Sequence, residues 1–306
     1  MRSNVLGMNR RNALISRYNG RRAILGVNDK YLTKTLLADA GVPVPRTLAL
    51  IDSRERLQRF DFGSLPSAWA MKPNRGRRGE GVMLAVDRVE TGWRSASGSE
   101  LTVAQIKSHI SHILDGEMSL EGTQEDSALV EPLIRAHSDM ARLIPFGLPD
   151  IRVICFKSTP LMAMARLPTE ESGGRANLHQ GAIGAAIDID TGTIFRAVKS
   201  QRPIERHPST DAQLVGYQLP FWDEIMAAAS RCSEPLGLGY VGVDVVIDEE
   251  EGIKVLECNA FPGLEIQNIN ARGLRRPLER AVKQHGRFRR GWFTRGRFET
   301  ADSSSA

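Results

Sequence analysis

A chain of 306 residues, 41% hydrophobic and 25% charged, has the composition of a globular protein and is long enough for one large core or two linked lobes. It contains no apolar run of about 18 residues, which argues against a transmembrane helix, and no apolar segment follows Met1-Arg2-Ser3-Asn4, so no secretory signal is expected. The net charge of +5 permits an anionic partner, but arginine dominates the basic residues, and no specific nucleic-acid binding is expected.

Residues 1–27 read as a basic, polar lead. A helix is expected from Asn28, capped by Asn28 or Asp29 and carrying the apolar stripe Leu32, Leu36, Leu37 and Ala40. Gly41 ends it, and Val42-Pro43-Val44-Pro45 enforces an extended exit. Trp69–Lys72 reads as a strand, followed by a glycine-containing loop and a second strand over Val82–Val86. Residues 87–126 are polar, with a helix near Ala104–Leu114, and Ala128–Ile134 is strand-like. Two hairpins are expected, one turning at Ser158-Thr159-Pro160 and one at Asp190-Thr191-Gly192, then a helix over Phe221–Ser233. Cys155, Cys232 and Cys258 have no metal-type spacing and read as buried thiols of a reducing, cytoplasmic compartment.

Three segments carry chemical meaning. In Lys72-Pro73-Asn74-Arg75-Gly76-Arg77-Arg78-Gly79-Glu80-Gly81, a strand ends in lysine before a loop of small residues. Such a loop lets backbone N–H groups approach phosphate oxygens, and the lysine adds a point charge. The Gly-Lys-Ser/Thr of a P-loop is missing, and a flexible Arg/Gly surface hairpin has the same composition. In Gly174-Arg175-Ala176-Asn177-Leu178-His179, alternate residues Arg175, Asn177 and His179 share a face if the segment is a strand. Gly242–Asp248 and Ile253–Asn259 flank an acidic turn and read as a hairpin. With Asp248 opposite Ile253 across a four-residue loop, Asp244 faces Glu257, and Asn259 lies on the same side. Facing carboxylates repel, and a hard divalent cation removes that cost. A solvated acidic hairpin remains the alternative for this segment alone. Asp150-Ile151-Arg152 places an opposite-charge pair on one face.

Taken in order, Asn28-Asp29-Lys30, Met71-Lys72-Pro73 with the loop, Leu129-Val130-Glu131-Pro132-Leu133, Asp150-Ile151-Arg152, Arg175-Ala176-Asn177, Gly242-Val243-Asp244 and Leu256-Glu257-Cys258-Asn259 resemble the ATP-grasp superfamily. The resemblance is closest to alpha-L-glutamate ligase-like proteins, relatives of ribosomal-protein glutamate ligases, and to the sugar-transfer-associated ATP-grasp domain. It covers about residues 8–285 and implies an α+β ATP-grasp fold of two α+β lobes with nucleotide between them. The domain is expected over residues 28–285, with a nucleotide lobe near 66–135 and a metal-binding lobe near 136–285. By this resemblance Lys30 and Lys72 bind ATP phosphates under a loop that includes Arg75, Gly76, Gly79 and Gly81. Val130, Glu131, Pro132 and Leu133 form the adenine hinge, and Asp139 reaches the ribose. Asp244, Glu257 and Asn259 hold one or two Mg2+, with Mn2+ as a substitute. Arg175 and Asn177 meet the terminal phosphate, and Arg152 orients a carboxylate substrate.

The implied reaction is ATP-dependent, ADP-forming amide or peptide bond formation between a carboxylate and an amine, with glutamate or another amino acid as the group added. An ATP-binding scaffold or sensor is the non-enzymatic alternative, and an anionic-surface-binding protein is a third. Complete glutamate ligases of this type carry a Rossmann-like domain first, whereas fewer than about 30 residues precede Asn28 here. A partner protein, or residues 1–23 and 87–126, is therefore expected to hold the acceptor. The Arg- and aromatic-rich tail, residues 286–306, is expected to be partly disordered and to dock on a membrane surface or a partner.

Overall fold

A computed structural model describes residues 4–76, 79–118 and 125–285; the expectations for Arg77, Arg78 and the tail fall outside these. The elements run α1 (Met8–Tyr18), α2 (Arg21–Gly26), α3 (Lys30–Asp39), β1 (Ala49–Ile51), α4 (Arg54–Arg59), β2 (Trp69–Pro73), β3 (Met83–Val89), β4 (Gly92–Ser95), β5 (Glu100–Thr102), α5 (Val103–Leu114) and β6 (Ala128–Pro132). The second half holds α6 (Ser138–Leu143), β7 (Asp150–Phe156), β8 (Thr159–Leu167), β9 (Ile183–Ile187), β10 (Ile194–Lys199), β11 (Arg202–Ile204), α7 (Trp222–Arg231), α8 (Ser233–Leu236), β12 (Tyr240–Asp248), β13 (Gly252–Asn259), α9 (Glu265–Asn270) and α10 (Arg275–His285). Two antiparallel sheets organise the chain, six strands in the order β1-β6-β2-β3-β4-β5 and seven in the order β11-β10-β9-β8-β7-β12-β13.

The smaller sheet buries Trp69, Met71, Trp93 and Val130 against Ile106, Ile110 and Ile113 of α5. Those isoleucines recur at helical spacing, which makes α5 amphipathic, and a Thr102–Gln105 capping box fixes its start. Each such side chain stabilises by about 1.5–3 kcal/mol on burial. The polar stretch after Val86 continues as β3, β4 and β5, which carry the sheet to its outer edge, far from β6. Strand β1 also joins this sheet, so the sheet begins at Ala49.

The larger sheet is covered on both faces. Leu37, Ile225, Ala229 and Leu236, from α3, α7 and α8, pack on one face with Val241, Val243 and Val245. Ile15, Ile266, Ile269 and Leu278, from α1, α9 and α10, pack on the other with Ile154, Met162 and Tyr240. Burial of all nine residues of β12 matches its near-continuous apolar sequence. The expected α3 starts at its Asp29 cap, whose Oδ1 accepts the Leu32 N–H at 2.9 Å.

The basic lead is not extended. It forms α1 and α2, and its few apolar residues are the contacts: Tyr18 meets Phe156 edge-on, with ring centroids 4.9 Å apart. Asn19 is 3% exposed. Its Nδ2 donates to the Tyr240 carbonyl at 2.8 Å, and its Oδ1 accepts the Tyr240 N–H at 2.8 Å. One amide thus satisfies both backbone groups at the start of β12, a service no apolar side chain can perform.

The β12–β13 register departs from expectation in an instructive way. Asp248 pairs with Gly252, not Ile253, so an unbroken ladder would set Asp244 against Leu256 and turn Glu257 to the opposite face. A bulge between the Val245–Val255 and Asp244–Glu257 pairs absorbs Leu256. Ile253 and Val255 therefore face the helical core, while Glu257 and Asn259 reach the side that carries Asp244. The expected Asp244–Glu257 pair exists, but the bulge creates it rather than the turn.

Replacing Asn19 by Ala leaves the buried Tyr240 N–H and carbonyl without partners, at about 1–3 kcal/mol for each unsatisfied group. Urea unfolding should show a clearly lowered midpoint for Asn19→Ala and little change for Asn12→Ala on the exposed face of α1; equal midpoints would refute this anchoring role.

Candidate active site

Three of the eight lysines converge where the two sheets approach each other. Helix α3 presents Lys30 and Lys34 one turn apart, and β2 presents Lys72. Glu131 of β6 sits among them: Lys34 Nζ contacts its Oε1, and Lys72 Nζ lies 2.8 Å from its Oε2. Lys30 Nζ donates to the carbonyls of Asn74 at 3.2 Å and Gly76 at 2.5 Å, at the start of the glycine-containing loop. Burial, together with the neighbouring Lys72 and Lys30 charges, lowers the Lys34 pKa, while the Glu131 carboxylate in contact with it favours the ammonium form. Burial and the Lys30 charge push Lys72 down to about 8, while Glu257 acts in the opposite sense. Lys34 and Lys72 thus share one carboxylate, with the Lys30 ammonium near enough to act on both, an excess of positive charge that a polyanion can neutralise. Glu257 of β13 is near enough to act on Lys72, and a bridge between Ala136 and Asp248 ties the segment after β6 to the same hairpin.

The loop is fixed at its start. Asp126 accepts the Arg75 N–H with both carboxylate oxygens at 3.0 Å, and Arg75 Nη2 lies 3.6 Å from Asp29 Oδ2. Asn74 Oδ1 accepts the Tyr31 N–H at 2.8 Å, which ties the loop to the first turn of α3. Gly79 and Gly81 have φ of +75° and +71°. These are left-handed conformations that favour glycine, and at Gly81 a Cβ would lie 2.7 Å from the Pro73 ring.

On the facing sheet, Asp150 and Arg152 do not pair with each other, although they share a face. Asp150 is held by Arg166 of β8 at 2.5 and 2.6 Å. Arg152 grips Asp244 at 2.6 and 2.5 Å, and Arg166 adds a third contact to Asp244 at 3.0 Å. Cross-strand register explains this, because Asp150 lies opposite Arg166 and Arg152 opposite Asp244. Burial acts to raise the Asp244 pKa, but the two guanidiniums outweigh it and hold the carboxyl below its ordinary value. Burial pushes Asp150 up to about 6 against the pull of Arg166, with the Asp244 charge adding to the rise.

Asn259 Nδ2 donates to Asp244 Oδ2 at 3.3 Å, which turns its amide oxygen outward. Glu257 makes no hydrogen bond or ion pair with a described residue. Two carboxylates and an amide oxygen on one face form a hard-oxygen donor set suited to Mg2+. The fit is direct for Glu257 and Asn259, whereas Asp244 would have to share its oxygens with Arg152 and Arg166. Among the described residues no group of three or more His, Cys, Asp or Glu side chains could hold a metal, so the asparagine is needed to complete the set.

Other expected site residues are placed less simply. Arg175, Asn177 and His179 are not on a strand. A turn precedes them, and Asn177 caps a short 3-10 helix, Leu178–Gln180, by accepting the His179 N–H at 3.0 Å. Asn177 competes for local backbone donors, which favours caps over strands. Arg175 is exposed and makes no ion pair with a described residue. Val130 is committed to the small sheet, its carbonyl accepting the Leu48 N–H at 2.8 Å, so only Pro132 and Leu133 at the strand end remain for a hinge role. Asp139 is tied to Arg142 on α6. Lys34 and Arg166, absent from the expected site, are part of it. Lys34 was legible as one turn beyond Lys30, and Arg166 needed the cross-strand register.

A family model for sugar-transfer associated ATP-grasp matches residues 9–283. Cyanophycin synthetase of Geminocystis herdmanii (strain PCC 6308) is 25% identical over 291 residues, covering 85% of this chain and 30% of that protein; the chain thus spans under a third of that curated relative's length. Among solved structures, the ATP-grasp ligase PsnB complexed with minimal precursor is similar with a TM-score of 0.46 and 18% identity, over 88% of this chain and 64% of that chain. Biotin carboxylase from Campylobacter jejuni reaches 0.51 at 13% identity over 81% of this chain and 43% of that chain, a likeness of fold alone.

The shared carboxylate makes a prediction about the arginines. Removing one partner of a buried ion pair costs about 3–5 kcal/mol. Arg152→Met and Arg166→Met should each destabilise by up to that scale, and the double variant should lose clearly more than the sum, because only the double leaves Asp244 without a cation. Strict additivity in denaturant unfolding would show that the arginines are energetically independent.

Proposed function

This chain belongs to the sugar-transfer associated ATP-grasp family, and on that premise we propose that it is an ATP-dependent, ADP-forming ligase that joins a carboxylate to an amine through an acyl-phosphate. The finer reading is addition of glutamate or another amino acid to a peptide or small acceptor. The observation that carries the proposal is the gathering of Lys30 and Lys72 at Glu131 and the start of the glycine-containing loop, with Glu257 of the large sheet near enough to act on Lys72. A triphosphate between them meets cations on one side and hard oxygen donors on the other.

In this reading Lys30, Lys72 and the loop from Arg75 through Gly76, Gly79 and Gly81 hold the phosphates. Pro132 and Leu133 border the adenine. Glu257 and Asn259, with Asp244, hold Mg2+, which supplies charge neutralisation on the transferring phosphoryl group. Arg152 keeps Asp244 oriented and lies beside the position for the carboxylate substrate. Arg175 is available to the terminal phosphate because no described residue pairs with it. Electrostatic stabilisation by pre-oriented groups does most of the work in such a transfer, so no nucleophilic side chain is required. The three cysteines are free and buried, in keeping with a cytoplasmic place. No helix of the described residues is long and apolar enough to cross a membrane.

The test is product analysis. Among candidate amino acids and small carboxylates, the right one should stimulate conversion of ATP to ADP and phosphate, and hydroxylamine should capture the activated acyl group as a hydroxamate. Stoichiometric AMP would replace the mechanism with adenylation. Lys72→Ala should abolish turnover in a folded protein.

Two further outcomes come from the geometry. Glu257→Gln should lower Mg2+-dependent turnover far more than Asp248→Asn. The latter carboxylate caps its own turn, accepting N–H groups from Glu250 and Glu251 at 3.0 and 2.8 Å, and so should affect stability instead. Comparable losses of turnover would remove Glu257 from the metal site.

ATP affinity should also depend on pH. Phosphate binds the charged form of Lys72, whose pKa in the free protein is about 8. Below that value the ammonium is already present. Above it, binding must draw a proton from solvent, so affinity falls as pH rises. Calorimetry in buffers of different ionisation enthalpy should detect proton uptake above pH 8 in the wild type and not in Lys72→Ala; the same uptake in both proteins would assign it elsewhere.

A further inference from the structure

Lys34 has no part in the proposed phosphate contacts, yet it is among the most deeply buried charges of the protein. Its side chain is 5% exposed, against 17% for Lys72, and the two lysines meet opposite oxygens of Glu131. The carboxylate between them is 4% exposed, and its backbone is fixed because Glu131 pairs with Ala70 of β2 in the small sheet. Lys34 rides on α3, whose Leu37 is embedded in the core of the larger sheet, so its position is set from the other lobe. Glu131 is thus bridged on Oε1 by the more deeply buried ammonium and on Oε2 by the more exposed one.

That asymmetry matters once Lys72 is asked to serve a nucleotide, a role that rests on the ATP-binding reading. A phosphate that draws Lys72 forward takes it from Glu131. A buried carboxylate stripped of its last partner is strongly unfavourable, whereas one that keeps a second cation is not. We propose that Lys34 is a positioning residue for nucleotide binding: its ammonium retains Glu131 so that Lys72 can pass from that carboxylate to the phosphates. Without Lys34, Glu131 holds Lys72 back and competes with ATP for it.

The experiment compares wild type, Lys34→Met, Lys34→Gln, Glu131→Gln and Lys34→Met/Glu131→Gln in the full chain, with ATP and adenosine as probes in calorimetry and turnover. Lys34→Met should weaken ATP binding about tenfold or more, the scale on which buried ion-pair partners act. Adenosine, which lacks phosphates, should bind as before. KM for ATP should rise with kcat at saturation little changed. Adding Glu131→Gln should restore ATP affinity to that of Glu131→Gln alone, because the competing charge is gone. Lys34→Gln, which keeps a polar group in the site, should show the same pattern and serves if the methionine variant does not fold. Equal losses for ATP and adenosine, or no rescue by Glu131→Gln, would reduce Lys34 to a packing residue and overturn the proposal. ATP binding by the wild type with unchanged affinity in both Lys34 variants would overturn this role alone. No ATP binding by the wild type would overturn the functional reading itself.

Discussion

One buried carboxylate makes the cleft possible. Lysines brought together in a poorly hydrated space repel one another and hold their protons less tightly, the direction in which Lys34 and Lys72 are both shifted. Glu131 offsets part of that repulsion and does so from a strand held between β1 and β2. The compensation is incomplete, and this incompleteness is what a binding site for polyphosphate requires. Full neutralisation would leave the lysines content with each other, and none at all would drive them apart. Helix α3 is the strut that sustains the arrangement, since its apolar stripe belongs to the core of one lobe and its lysines to the charges of the other.

The opposite wall obeys a different constraint. Its charges come as a four-membered array, Asp150–Arg166–Asp244–Arg152, in which each carboxylate meets guanidinium in near-bidentate geometry. Planar forks suit this setting better than ammonium groups, which is why arginine rather than lysine stands on the sheet. The array is electrically balanced within itself. Glu257 is left outside it, and Asn259 turns only one of its two amide ends inward. The wall therefore offers open oxygens at a defined place rather than a diffuse acidic surface.

Position on the sheet depends on one extra residue. Leu256 in the bulge shifts the alternation of β13, so that Cys258 follows Ile253 and Val255 into the core while Glu257 and Asn259 emerge on the cleft side. Gly242, opposite Asn259, keeps that side clear, because a Cβ there would come within 2.6 Å of Pro262 in the segment that follows β13. Backbone irregularity and a missing side chain together let the chain leave the hairpin across the face of its own sheet.

The sequence by itself determined the larger elements and much of the site's residue set. Periodicity marks α3 and α5, alternation and turn residues mark the β7–β8 and β9–β10 hairpins, and the ordered motifs mark the family. These are local signals, carried by neighbours in the chain. Tertiary structure alone decided what depends on distant contacts. The basic α1 is a helix because Tyr18 packs on Phe156 of β7 and Asn19, just after it, finds its partner 221 positions away on β12. The segment around Arg175 is a cap rather than a strand because Asn177 takes a local N–H instead of a ladder partner. Arg166 enters the site because β8 pairs with β7 in one register, and Lys34 because α3 meets β6. Side chains acquire pKa values and partners from low-dielectric packing between segments, and packing of that kind leaves no mark in any single stretch of sequence.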